Sequence, residues 1–571
     1  MSSTPPSSSR GEAVAGRWST FLLVAYAAVS LAFILPSARL WLQHPMTLTA
    51  FEFDYFLGAF WPRNLELLLA IIQAGRLVHL VGFLIVGGLF AVIVRRLLQH
   101  PAAVPLSLIS WFAALLGLVW SLGLPWVSPD VFFYIGSGWL DGHYGLSPYW
   151  HAISEVPGFQ HDPMFRNVLP YFLGGVTGYG PVFQIAARGL ALASGGSETT
   201  ALILYKIVNL ALHAGASVLV LRLVSPERRS AVLFFYACNP LILFSILTCA
   251  HNDHAMNVLV LAAFLFREQG RPAFSGLALA GAVSIKYIPL LLVPLFALDL
   301  LFSPGPSAKR DRVLAMARLT AAFVLSAALM HLAYPDAVRR FYHTAMGGIG
   351  GARESLHFML PWVSLLFPTA TMPSRGVLIA LFAALYGACL LAFARHARRE
   401  GRFRLPEAVV AVLLVYFLVL NQTNQEWYLT WVLGPLALIG LASAMTFGIR
   451  LSWLFLPLVI FTVRNSVLVN VVSNSLLYLL LVGLSVPLVL ELVRRAAPRS
   501  RLLSGNGPAD VATSSAMVTP GSDASRAHSK ASPDDEEGDE GARGHRPNAG
   551  DEVRERRPPE VGPDHEYQPT D

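Results

Sequence analysis

Asp130 heads the stretch of this sequence best suited to chemistry, Ser128–Pro148, SPDVFFYIGSGWLDGHYGLSP. Ser128, Pro129 and Asp130 make a helix-start signal: serine caps, proline suits the first helical position, and an early aspartate faces the positive end of the dipole. Asp130 and Tyr134 stand four residues apart and share one face of that helix. Val131, Phe132, Phe133, Ile135 and Trp139 give it enough apolar surface to lie along a bilayer, and Gly136, Gly138, Gly142 and Gly145 break it into loop. Two readings fit the carboxylate. It is a first-turn partner of the helix dipole, which the local sequence favours, or a general base that takes the proton of an attacking hydroxyl.

Four further clusters carry polar groups. His251, Asn252, Asp253 and His254 precede the apolar run AMNVLVLAAFLF, where such residues are costly unless they face water, a ligand or one another. A lone His-x-x-His pair is a weak metal signal, so hydrogen bonding to sugar hydroxyls or phosphate is the better use. Lys286, beside Tyr287 and Pro289, either snorkels to the interface or contacts a phosphate. Arg339, Arg340 and His343 precede the glycine-rich Gly347–Arg353, which puts cations and free amides in one loop, as an anion site would. Within NQTNQEWYLTW, Glu426, Trp427, Tyr428 and Trp431 form either an aromatic belt or a sugar-stacking rim.

The scaffold for these groups follows from composition. Of 571 residues, 54% are hydrophobic and only 13% charged, which describes an all-α polytopic membrane protein. The net charge of +7 comes from arginines in short loops between apolar runs, so it sets orientation and does not signal nucleic acid. Cys238, Cys249 and Cys389 fall in apolar runs without pairing or ligand spacing.

Apolar runs at 18–36, 77–94, 104–124, 199–223, 231–248, 254–266, 273–287, 288–303, 313–333, 376–394, 406–421, 427–447, 451–464 and 468–493 give about fourteen transmembrane helices. The stretch 273–303 also reads as one long tilted helix, and 358–373 as a re-entrant piece. Basic loops at 95–96, 227–229, 267–271, 309–312, 395–404 and 494–495 share one side, expected to be cytoplasmic, and every polar cluster above falls on the other. The expected domains are a disordered cytoplasmic N-terminus at 1–17 and a transmembrane pair at 18–103. A core at 104–495 follows, with an extracytoplasmic loop at 125–198 carrying short interfacial helices, and then a disordered cytoplasmic tail at 496–571.

The order Asp130-x-x-x-Tyr134, Gly145-Leu146-Ser147-Pro148-Tyr149, Tyr179-Gly180-Pro181, HND at 251–253, SIKYIP at 284–289 and EWYLTW at 426–431 resembles the GT-C polytopic glycosyltransferases. It is most similar to the bacterial polyprenyl-phosphate-mannose-dependent mannosyltransferases and the glycosylphosphatidylinositol mannosyltransferases. The resemblance covers roughly 104–440. It implies an inverting transfer of a hexose, mannose first, from a polyprenyl phosphate to a glycan, lipid or protein hydroxyl outside the bacterial cytoplasmic membrane. Asp130 would be the catalytic base, with Tyr134, Tyr149, Tyr179, His251, Asn252, Asp253, His254, Lys286, Arg339, Arg340, His343, Glu426 and Trp427 binding substrate.

Many relatives carry an acidic pair after their first span. Here one aspartate follows the third, which disfavours a divalent cation and suggests two added N-terminal spans. The alternatives are a transferase for another lipid-linked sugar, or a flippase of such lipids.

Overall fold

A computed structural model describes residues 8–43, 65–125, 128, 130–302, 308–340, 375–420, 426–440, 443–452 and 467–496. The described residues form helices and turns with no strand. Six helical stretches are long and apolar enough to cross a membrane: Arg17–Leu35, Val81–Gln99, Glu198–Leu223, Pro226–Thr248, Lys309–Leu332 and Gly376–Glu400. Of six shorter apolar helices of 10–17 residues, four lie between them and two follow the last. The expected all-helical membrane architecture is therefore present. Six helices reach spanning length among the described residues, and several of the other expected runs there form shorter helices bounded by prolines and polar breaks. Residues 358–373 lie outside the described ones.

The elements that position the site are α1 (Ser8–Gln43), α2 (Leu65–Gln99), α3 (Leu106–Ser121), α4 (Asp130–Gly142), α5 (Pro181–Ala193), α6 (Glu198–Leu223) and α7 (Arg229–Ala237). They continue with α8 (Asp253–Glu268), α9 (Pro272–Val283), α10 (Val293–Phe302), α11 (Lys309–Leu332), α12 (Arg375–Glu400), α13 (Leu405–Val419), α14 (Thr430–Ile439) and α15 (Val467–Ala496). The stretch 273–303 is two helices, since α9 ends at Val283 and α10 begins at Val293 after a 3₁₀ turn at Ile288–Leu292. Pro289 lacks the N–H a continuous helix would need there, and Lys286 falls in the break.

Within Pro226–Thr248, the part from Ala231 to Thr248 is almost wholly apolar and buried throughout, as a helical segment must be in the middle of a bundle. Phe234 stacks between Phe90 and Phe112 at ring separations of 5.9 and 6.1 Å, while Tyr26 donates its hydroxyl hydrogen to the Cys238 carbonyl at 2.7 Å. These contacts bind α1, α2 and α3 to α7. Large apolar side chains face outward elsewhere, Trp111 at 78% and Leu332 at 69% exposure, which suits a lipid solvent.

α4 packs along α5 and also touches α6. The apolar side chains expected to lie on a bilayer are covered by protein: Val131, Phe132, Phe133 and Ile135 are buried and Trp139 is half-buried. The approach is close because Gly138 has no side chain; a Cβ there would stand 2.3 Å from the Ala187 carbonyl oxygen. Gly138→Ala should push α4 off α5 and lower stability by about 1–3 kcal/mol, read as a lower unfolding midpoint in detergent.

Candidate active site

The first residue of α4 is Asp130, as the start signal predicts. Opposite it, the chain approaches through an unusual turn. A π-helical segment, Leu243–Thr248, widens the end of the buried hairpin, and Ala250 then takes a positive φ of 57°, rare for a residue with a side chain. His251 follows, fully buried, with Nδ1 3.8 Å from Asp130 Oδ2 and 3.4 Å from the Tyr134 hydroxyl. At 3.8 Å the imidazole and carboxylate are close without a direct hydrogen bond. Tyr134 donates to Asn252 Oδ1 at 3.4 Å, and Tyr179 donates to Tyr134 at the same distance.

Asp253 opens α8 and is fully buried. Its Oδ1 accepts from the Lys286 ammonium at 2.7 Å and from the Trp431 indole N–H at 2.6 Å. Lys286 also sits over three rings, 5.5 Å from Tyr179, 5.0 Å from Tyr428 and 5.6 Å from Trp431, so cation–π attraction helps hold a cation with little water around it. Trp427 stacks on His251 at 3.9 Å. Backbone bonds join two more motifs: the Gly180 and Val182 amides donate to the Ile285 and Ser284 carbonyls, each at 2.9 Å. Gly180 is required there, since a Cβ would stand 2.3 Å from the Ser284 oxygen.

Asp130 keeps 14% of its side-chain surface open. Burial nevertheless pushes its carboxyl up to about 6, against the pull of the Lys286 charge. Burial, reinforced by Lys286, holds the His251 imidazole well below its usual range, so it is neutral. Three buried polar atoms around this space have no hydrogen-bond partner among the described residues: His251 Nε2, Asn252 Nδ2 and Asp253 Oδ2. Beside Trp431, a narrow apolar cleft runs between α8, the 288–292 turn, α13 and α14, lined by Met256, Val260, Leu261, Ile288, Leu292 and Leu413.

The fold thus gathers Asp130, Tyr134, Tyr179, His251, Asn252, Asp253, Lys286 and Trp427 into one cluster. Others named from the sequence lie elsewhere. His254 packs against His213 at 5.4 Å and Tyr236 at 6.3 Å, between α6, α7 and α8, so the two histidines face different neighbours. Tyr149 stacks on Tyr334 at 5.8 Å, and Tyr334 donates to Asp141 at the far end of α4, about 16 Å along that helix from Asp130. Arg339 lies over Trp150, 5.7 Å from its ring, and Arg340 adjoins it in the helical segment 335–340. His343 and the Glu426 side chain lie outside the described residues.

Sequence reasoning left two members off the site. Trp431 was visible only as part of an aromatic run. Lys206 stands alone inside the apolar α6, and an ionisable residue at that depth was the signal available.

A helical membrane protein with a buried acid, a caged lysine and an aromatic rim has the features that the resemblance to membrane glycosyltransferases of GT-C type leads one to expect. Residues 46–301, which hold the cluster from Asp130 to Lys286, match the MptA_B family, described as alpha-(1->6)-mannopyranosyltransferase, N-terminal domain. Over that stretch, somewhat under half of the chain, the sequence is similar to the mannosyltransferases of this family. No curated protein and no solved structure matches the chain.

The ion pair sets a test of stability. Lys286→Met would strand the Asp253 carboxylate and should cost about 3–5 kcal/mol in thermal unfolding, whereas adding Asp253→Asn should recover most of that loss. Equal losses in the single and double variants would mean that the pair carries no such weight.

Proposed function

We propose that the protein moves mannose from a polyprenyl-phosphate donor to an acceptor hydroxyl at the outer face of a bacterial cytoplasmic membrane, with inversion at the anomeric carbon. The observation that carries this reading is the set of unpartnered buried polar atoms on His251, Asn252 and Asp253. They lie between one carboxylate, Asp130, and one caged cation, Lys286. Sugar hydroxyls satisfy such atoms, an acceptor hydroxyl needs a base, and a phosphate leaving group needs a cation.

In this mechanism Asp130 takes the acceptor proton as the acceptor oxygen attacks the anomeric carbon. The bond from that carbon to the phosphate oxygen breaks with its electron pair, and the lipid monophosphate departs. One carboxylate suffices, because a single displacement needs no covalent sugar intermediate. Lys286 favours the transition state by meeting the charge that grows on the leaving oxygen. Tyr134, Tyr179, His251 and Asn252 hold the sugar, Trp427 packs beside it, and the apolar cleft next to Trp431 takes the first units of the lipid. With Arg339 placed over Trp150 and Arg340 next to it in the chain, the phosphate role falls to Lys286. Nucleotide is unnecessary, since activation resides in the donor phosphodiester, and the reaction as written uses no metal.

Purified protein in lipid, given polyprenyl-phosphate mannose and a mixture of envelope acceptors, should transfer mannose. Asp130→Asn should lower kcat by about 10²–10⁴. The wild-type rate should fall below about pH 6 as Asp130 is protonated and level off above it. The acid's value is raised in the fold from 3.8 to about 6, so ionising it costs stability as pH rises through that window. Asp130→Asn should therefore unfold no more easily than wild type at pH 7. An undiminished rate in the variant would reduce Asp130 to a helix-start residue, and transfer only from another lipid-linked sugar would replace mannose in this reading.

Both termini are proposed to be cytoplasmic, with the Asp130 side outside. A cysteine replacing Glu155, which is 51% exposed, should react with an impermeant thiol reagent on intact cells, and one replacing Ser504 should not. The reverse labelling would invert the orientation.

A further inference from the structure

Lys206 lies about a third of the way along α6, 4% exposed, in a mostly apolar run. Its three described hydrogen bonds all go to backbone carbonyls: Gly123 at 2.6 Å, Thr248 at 2.8 Å and Leu247 at 3.3 Å. An ammonium has three N–H donors, so each is used. The acceptors are carbonyls left over where helices end, Gly123 just past α3 and Leu247 and Thr248 at the close of the π-helical segment. Each such end carries the negative pole of its helix, which suits a cation.

These carbonyls belong to the two segments that lead to the candidate active site. Gly123 precedes Asp130 by seven residues, and Thr248 precedes His251 by three. Around the lysine the two segments are closely fitted. Thr248 donates its hydroxyl hydrogen to the Trp120 carbonyl at 2.8 Å, and a Cβ on Gly123 would stand 2.9 Å from the Thr248 methyl. Between Thr248 and His251 comes Ala250 with φ 57°, a conformation that persists only where its surroundings over-determine it. Beyond it, the His251 ring stacks on Trp427, while its polar contacts are long, 3.4 Å to Tyr134 and 3.8 Å to Asp130, and do not fix its position toward the carboxylate. The backbone must therefore hold the turn, and Lys206 is the group that grips it.

We propose that Lys206 is a positioning residue, whose ammonium clamps the Gly123 and Leu247–Thr248 carbonyls together and so fixes the strained turn that presents His251 and Asn252 to Asp130. The proposal rests on the transferase reading above only for its kinetic consequence; its structural content stands without it.

The test uses full-length protein in lipid nanodiscs, comparing wild type, Lys206→Met and Lys206→Arg. One readout is kcat and donor KM with polyprenyl-phosphate mannose, per mole of folded protein. The other is the rate at which diethyl pyrocarbonate modifies His251, followed by mass spectrometry with the buried His213 as internal reference. Lys206→Met should lower kcat about 10–100-fold with donor KM nearly unchanged, because a misplaced turn costs rate more than binding. His251 should become modified about 10-fold faster while His213 stays protected, since the opening is local. Lys206→Arg keeps charge and donors and should restore part of both.

Unchanged kcat and an unreactive His251 in folded Lys206→Met would overturn the proposal, as would exposure of both histidines together, the mark of general loosening. Should Lys206→Met fail to fold, Lys206→Gln, which retains two donors, is judged by the same readouts. Should wild type transfer no mannose, the transferase reading falls, and the His251 modification rate still decides the role of Lys206.

Discussion

The buried ion pair of Asp253 and Lys286 is the constraint on which the rest of the site depends. A charge out of water is costly unless its partner and the remaining hydrogen bonds are in place, so neither residue can be buried without the other. Satisfying Asp253 brings the start of α8 to the break after α9, and the Trp431 indole draws in α14. Tyr179, Tyr428 and Trp431 complete the cage. Three stretches far apart in the chain are thereby fixed around one cation, and the aromatic rim and the cleft beside it follow from that.

The pair also divides labour between the carboxylates. Asp253 is bound to its lysine and to the Trp431 indole, while burial lifts Asp130 to about 6 against the pull of the same lysine. Two acids in one pocket with different surroundings are how a site separates charge balance from proton transfer. Neutral His251 lies between them, held by stacking on Trp427 and by a turn that α6 grips from beneath.

Several elements of this arrangement were legible beforehand. The Ser128-Pro129-Asp130 start signal did open a helix at Asp130, and the polar run 251–254 and the lysine of SIKYIP did come to the same pocket. Each announced itself by local physics, as a cap or as polarity in an apolar context. The interfacial placing of α4 did not hold, because amphipathic-looking surface says that a helix must be covered without saying by what, and the glycine contact with α5 supplies protein instead of lipid. His254 was read with His251 on adjacency, yet one side chain faces the pocket and the other faces α6 and α7. The number of spans was equally hard to read, since apolar runs at 254–266 and 273–287 become short helices whose ends serve the site.

The sequence by itself determined that the chain is an all-helical membrane protein, which polar motifs it carries and where its helices begin, because these depend on composition and on contacts within a turn or two. Which motifs meet was decided only in the tertiary structure. Asp253 meeting Trp431 across 178 residues, Tyr149 and Arg339 lying apart from Asp130, and Lys206 reaching the carbonyls of two other segments are consequences of packing. Such contacts arise from satisfying buried charge and leftover carbonyls between distant segments, a demand with no period or spacing to leave in the sequence.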